Sequence, residues 1–104
     1  MYNQENLIKD LKELKQELQK EGFIIEGFFG SYARGEANEN SDVDILYSLQ
    51  NTFFTKYSGF IGFKKLEEFK NIIAKRLNKK IDLAPQNNLS KSAKKYILKD
   101  LQNV

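Results

Sequence analysis

Cysteine and histidine are both absent from this chain of 104 residues. Without cysteine there is no disulfide framework and no thiolate metal site, and without histidine the usual zinc ligand and the usual general base are missing as well. Chemistry has to run on carboxylates, hydroxyls, amides and Lys or Arg. No apolar run approaches the roughly 20 residues that a membrane-spanning helix needs, and Met1-Tyr2-Asn3-Gln4-Glu5 is not a basic segment backed by an apolar one. A soluble cytoplasmic protein with no membrane attachment is expected.

A strong excess of one charge is lacking too. The 17 Lys and Arg against 14 Asp and Glu leave a net charge of +3, a weak field that favours an anion mildly and does not mark a binder of nucleic acid. The length supports one hydrophobic core, with 1–104 as one domain, and leaves no room for a second domain to hold an acceptor. Any large acceptor has to be another molecule.

Leu7, Leu11, Leu14 and Leu18 form one stripe of an amphipathic helix over about residues 3–20, stopped by Gly22. The apolar run Phe23 to Phe29 reads as a buried strand, followed by a Gly30-Ser31 turn into a brief helix that Gly35 ends. Val43 to Leu49 is a second strand, whose period of two puts Val43, Ile45 and Tyr47 on one face and Asp44 on the other, with Asp42 at its start and pointing the same way. Leu66, Phe69, Ile72, Ile73 and Leu77 predict a helix over about 63–77. Lys80 to Ala84 reads as a third, central-looking strand closed by Pro85, on which Asp82 stands between Ile81 and Leu83. A last helix over about 90–101 carries Ala93, Ile97 and Leu101 on one side, with Tyr96 beside them.

Two features belong together. A glycine lets backbone amides approach a phosphate closely, and a helix start offers unpaired N–H groups, so Gly30 and Ser31 suit phosphate. Mg²⁺ is a hard cation that takes carboxylate oxygens, water and substrate phosphate, and Asp42 and Asp44 at i and i+2 present such oxygens on one face. A third carboxylate, Asp82, would hold a second metal or take the proton from an attacking hydroxyl. A turn-only reading does not explain why carboxylates continue into an apolar strand, nor why an acid recurs on another one.

Gly30-Ser31-Tyr32-Ala33-Arg34-Gly35, Ser41-Asp42-Val43-Asp44-Ile45 and Ile81-Asp82-Leu83 together resemble the minimal nucleotidyltransferases of the polymerase-beta-like superfamily. The resemblance runs over nearly the whole chain and implies that superfamily's α/β (α+β) fold, a small mixed β-sheet with helices packed on it. It implies that Gly30 and Ser31 hold a nucleoside triphosphate, that Asp42 and Asp44 ligate Mg²⁺, and that Asp82 completes a catalytic and metal-binding triad. Arg34 serves the phosphates or the local structure. Members of this size are usually antitoxins paired with a HEPN-domain toxin, and some move AMP from ATP onto a Tyr hydroxyl of that toxin. The resemblance therefore implies an ATP- and Mg²⁺-dependent protein adenylyltransferase, with two metal ions and a protein acceptor. Two other readings stay open: an antitoxin that acts by occlusion alone, and a transferase for a small molecule such as an aminoglycoside.

The aromatic-dense connection from Phe53 to Phe63 is expected to be core or partner surface rather than a base-stacking platform. Lys64-Lys65 and the lysines of the last helix read as a solvated face. Tyr32 is expected either to pack on the neighbouring strand or to cover the nucleotide.

Overall fold

In the computed structural model, which describes residues 2–104, the chain runs α1 (Gln4–Leu18), β1 (Phe23–Phe29), α2 (Ser31–Arg34), β2 (Val43–Leu49), α3 (Asn51–Lys56), α4 (Phe60–Leu77), β3 (Ile81–Pro85), α5 (Lys91–Asp100) and β4 (Gln102–Asn103). The four strands form one mixed sheet in the order β3-β2-β1-β4. β1 pairs antiparallel with β2 and with β4, while β2 and β3 run parallel. Parallel neighbours need a long crossover, and α3 with α4 supplies it.

The leucine stripe does what its spacing requires. Leu7, Leu11, Leu14 and Leu18 are buried, the Asn3 side chain accepts from the Asn6 N–H at the helix start, and a 3₁₀ turn over Gln19–Glu21 leads to Gly22. Gly22 has φ of 81°, and a β-carbon there would run into the backbone nitrogen of Phe53. The turn into β1 is thereby pressed against α3.

The sheet separates two unequal apolar clusters. On one face α1 and α4 cover Phe23, Ile25, Phe28, Val43, Ile45 and Ile81. On the other, Phe29 and Leu46 are met by Ile97 of α5, with Ala84, Leu89 and Leu101 around them. Val43, Ile45 and Tyr47 all join the larger cluster, so the period of two along β2 holds.

Several expectations are corrected. The connection after β2 contains a helix of its own, α3, and α4 begins at Phe60 rather than Phe63. Phe53 and Tyr57 stand at i and i+4 and pack with the core, a helical pair too short to stand out among so many aromatics. β3 is an edge strand, not a central one, which lets Asp82 be exposed without a desolvation cost. Ile72 and Tyr96 are exposed, and the last helix ends at Asp100, where Leu101 turns into the short strand β4. Gly27 makes β4 possible, because a β-carbon there would strike the Gln102 carbonyl.

Candidate functional site

The site is assembled where β1 ends and β2 and β3 begin. β1 delivers Gly30, whose φ of 75° and ψ of −149° lie outside what a side chain tolerates, and the chain then enters α2 at Ser31. The Arg34 N–H donates to the Gly30 carbonyl at 3.1 Å and the Glu36 N–H to the Ser31 carbonyl at 2.9 Å, which closes the turn. Any β-carbon on Gly30 would collide with the Asp44 Oδ2, so the motif glycine and the strand aspartate are in direct register. In the ladder Asp44 stands opposite Phe29, the last residue of β1, on one side and Asp82 on the other.

The loop before β2 is tied locally. The Asn38 N–H donates to Ser41 Oγ at 2.9 Å, the Asn40 N–H to Asn38 Oδ1 at 2.8 Å, and the Ser41 N–H to the Asn38 carbonyl at 3.1 Å. The Val43 N–H then donates to the Lys80 carbonyl at 2.9 Å, which starts the parallel pairing and brings Asp42 beside β3. Ser41 thus positions the aspartate that follows it, a role its place in the motif did not reveal.

Asp44 feels the other two carboxylates. Burial pushes the Asp44 carboxyl above its ordinary range, the negative charges of Asp82 and Asp42 push it the same way, and only Arg34 opposes them. A cation among these oxygens would remove that repulsion, and carboxylate oxygen is the donor that Mg²⁺ takes. By donor chemistry Asp42, Asp44 and Asp82 are the type of group such an ion takes, but among the described residues no three acidic side chains are gathered closely enough to hold one.

Arg34 is engaged by protein carboxylates. Its Nε donates to Glu36 at 2.6 Å and its Nη1 to Asp100 at 3.0 Å, so it ties α2 to the end of α5. Gln102 reinforces the tie through its Nε2, which donates to the Ala33 carbonyl at 3.0 Å. Tyr32 is buried in the larger cluster, with Tyr2 edge-on to its ring. It packs rather than presenting a face outward.

One part of the site was not anticipated. A hollow of about 710 Å³ adjoins Asp42 and Asp82, and its wall includes Lys70, Lys75, Lys79 and Lys80. These lysines come from the last turns of α4 and the link to β3. The pair Lys79-Lys80 was visible in the sequence, but a basic run reads as solvated until a fold sets it beside carboxylates.

Residues 5–104 match the sequence model of the nucleotidyltransferase domain family. The chain is 35% identical over 88 residues to the protein adenylyltransferase MntA of Thermococcus cleftensis, spanning 84% of this chain and 81% of that one. It is 38% identical over 98 residues to MJ0126 of Methanocaldococcus jannaschii, provisionally named a protein adenylyltransferase, spanning 93% of this chain and 89% of that one. A solved structure described as a provisional minimal nucleotidyltransferase superposes with a TM-score of 0.74 over 99% of this chain and 97% of the other, at 20% identity. A chain from a toxin–antitoxin crystal structure with AMP-PNP superposes with a TM-score of 0.66 over 91% of this chain and 69% of its own, also at 20% identity. A Gly-Ser turn in register with a strand aspartate, two further carboxylates beside it, and a family match over residues 5–104 lead to one assignment: the chain belongs to the nucleotidyltransferase domain family.

Proposed function

We propose that this enzyme is an Mg²⁺-dependent protein adenylyltransferase that acts in the cytoplasm as the antitoxin of a HEPN toxin pair, moving AMP from ATP to a Tyr hydroxyl of the toxin. The observation that carries this reading is that Asp44 closely faces Gly30 on one side and pairs with Asp82 of the adjacent strand on the other. That arrangement supports reading Gly30 as a phosphate site next to the carboxylates, with the acceptor supplied by another protein. The named adenylyltransferase relatives and the toxin–antitoxin neighbour support the choice of a protein acceptor.

Gly30 and Ser31 receive the triphosphate, because the turn brings backbone close to the site with no side chain at Gly30. Asp42, Asp44 and Asp82 would hold Mg²⁺, which when bound supplies positive charge against the phosphate oxygens. The Tyr oxygen forms a bond to the α-phosphorus as the bond to pyrophosphate breaks. Asp82 takes the Tyr proton in this reading, which its exposure on the edge strand supports. Arg34 moderates the charge of Asp44 from its position between Glu36 and Asp100.

Mass spectrometry of the toxin after incubation with the enzyme, ATP and Mg²⁺ should show the mass of one or more AMP groups. Asp42→Asn and Asp44→Asn should each lower transfer by about 10³-fold or more while the fold survives. Binding of the toxin with no mass gain from any nucleotide would turn the assignment to occlusion.

A further inference from the structure

Isolated apolar side chains are ordinary on a protein surface, but a group of large aromatics on adjoining turns is not. Phe60 is 86% exposed and Phe63 72%, with Ile61 at 57% between them in sequence and Phe54 of α3 at 55%. Gly62 explains how this arises. It is buried, and a β-carbon there would crowd the Tyr57 carbonyl and the Phe53 ring, so the first turn of α4 is pressed onto α3 while its aromatics remain outside.

The same helix reaches the catalytic edge. Phe60, Lys64, Glu67, Asn71, Lys75 and Asn78 follow one another at helical spacings of four, three, four, four and three, so they form one stripe. The stripe lies opposite Phe69, Ile73 and Leu77, which are buried, and it ends in the hollow beside Asp42 and Asp82. α4 has 18 residues, so the aromatic end stands roughly 27 Å from the other at 1.5 Å per residue.

The cations of α4 and of the link to β3 divide by position. Lys65 pairs with Glu68, and Arg76 with Glu13 and Glu17. Lys64, Lys70, Lys75 and Lys80 have no such partner among the described residues. Three of these four, Lys70, Lys75 and Lys80, line the hollow. Desolvating them favours an anionic occupant.

We propose that this exposed face of α4 is the docking surface for the polypeptide acceptor. The partner presents an apolar socket to Phe60 and Phe63 and acidic side chains to Lys70, Lys75 and Lys80. Charge complementarity selects this occupant: a second copy would bring the same cluster Lys70, Lys75 and Lys80 up against a like-charged one, and Glu67 interrupts the stripe where a nucleic acid backbone would run. Anchoring the acceptor through Phe60 and Phe63, at the end of α4 far from the carboxylates, helps hold its hydroxyl at Asp82, so remote binding energy is spent on orientation. The inference rests on the protein-acceptor reading above.

The test uses the toxin as probe, with its affinity measured by calorimetry and its modification by mass spectrometry. The double variant Phe60→Ser/Phe63→Ser should lose at least about 30-fold in toxin affinity, while Mg²⁺-ATP binding stays unchanged. The double variant Lys70→Glu/Lys75→Glu should lose affinity too, and the wild-type affinity should fall with added salt. Circular dichroism of these surface variants should match the wild type. Unchanged toxin affinity in both variants would overturn the docking surface even where transfer proceeds. So would absence of toxin binding by the wild type, or tighter, phenylalanine-dependent binding of a single-stranded oligonucleotide. Phenylalanine-dependent toxin binding without any AMP transfer would leave the surface standing and remove the transferase reading.

Discussion

The two faces of the sheet are built to different ends. One is covered by α1 and α4 and holds a continuous cluster from Leu7 to Ile81, in which Phe23 lies 4.9 Å from the Tyr47 ring and 5.1 Å from that of Phe69. The other has three buried residues, Phe29, Leu46 and Ile97, under α5 alone. The carboxylates belong to the sparsely covered side: Asp44 stands one residue from Val43 and Ile45 of the large cluster and therefore faces away from it. A deep core on one face supplies the stability that lets the other carry mutually repelling acids next to open surface.

The sharpest way to break this comparison is to remove a ring from the covered face. Phe23→Ala should destabilise by about 3–5 kcal/mol, a melting-temperature fall of about 4–8 °C per kcal/mol in a domain of this size. Thermal denaturation reads it, and a loss below about 1 kcal/mol would mean that stability is shared evenly between the faces.

Next in size is the turn that leads from β1 into α2. Gly30→Ala puts a β-carbon against Asp44 at a backbone angle that disfavours it, and should cost about 1–3 kcal/mol. Because the strain falls on a carboxylate, transfer should drop as far as in Asp44→Asn. Retained transfer would show that Asp44 is free to move aside.

Asp44→Asn should act in the opposite sense on stability. Burial and the charges of Asp82 and Asp42 disfavour the ionised carboxylate, so its removal should raise the melting temperature slightly at neutral pH, low salt and no divalent cation. A lower melting temperature would mean that Asp44 holds the sheet together.

The smallest effect belongs to a polar tie on the covered side. The Tyr57 hydroxyl donates to Glu21 and holds that carboxyl below its ordinary range, aided by Lys56. A lowered carboxylate adds stability above its unfolded pKa and loses it as pH falls through the folded value. Tyr57→Phe should therefore melt lower than the wild type at neutral pH, with the gap closing on acidification. A gap independent of pH would assign the loss to packing.

Legibility in the sequence followed the length and regularity of each pattern. β1 and β2 have the bounds their apolar runs and alternation predict, and α1 ends within its leucine stripe. α3 escaped notice because its six residues bury one side chain, Phe53, and its i+4 partner Tyr57 already lies beyond the helix. β4 has two residues, and its strand character comes from pairing with Gly27 and Phe28, which no local pattern encodes. Among the candidate site residues, Gly30 and Asp44 were legible as types at a spacing, and their register could be seen only once β1 and β2 were paired. Arg34 carried a motif position and nothing about Asp100, which lies 66 residues away.

What the sequence determined by itself was the chemistry available and the local elements that carry it. Without histidine or cysteine only carboxylates, hydroxyls, amides and basic side chains remained, and their placement on strands followed from periods of two and 3.6. Only the tertiary structure decided that β3 is an edge, that Lys70, Lys75 and Lys80 border Asp42 and Asp82, and that Phe60 and Phe63 stay outside. Periodicity is a property of neighbours in the chain. Edges, hollows and exposed aromatics depend on which segments meet across the sheet, and that is settled by packing over long separations.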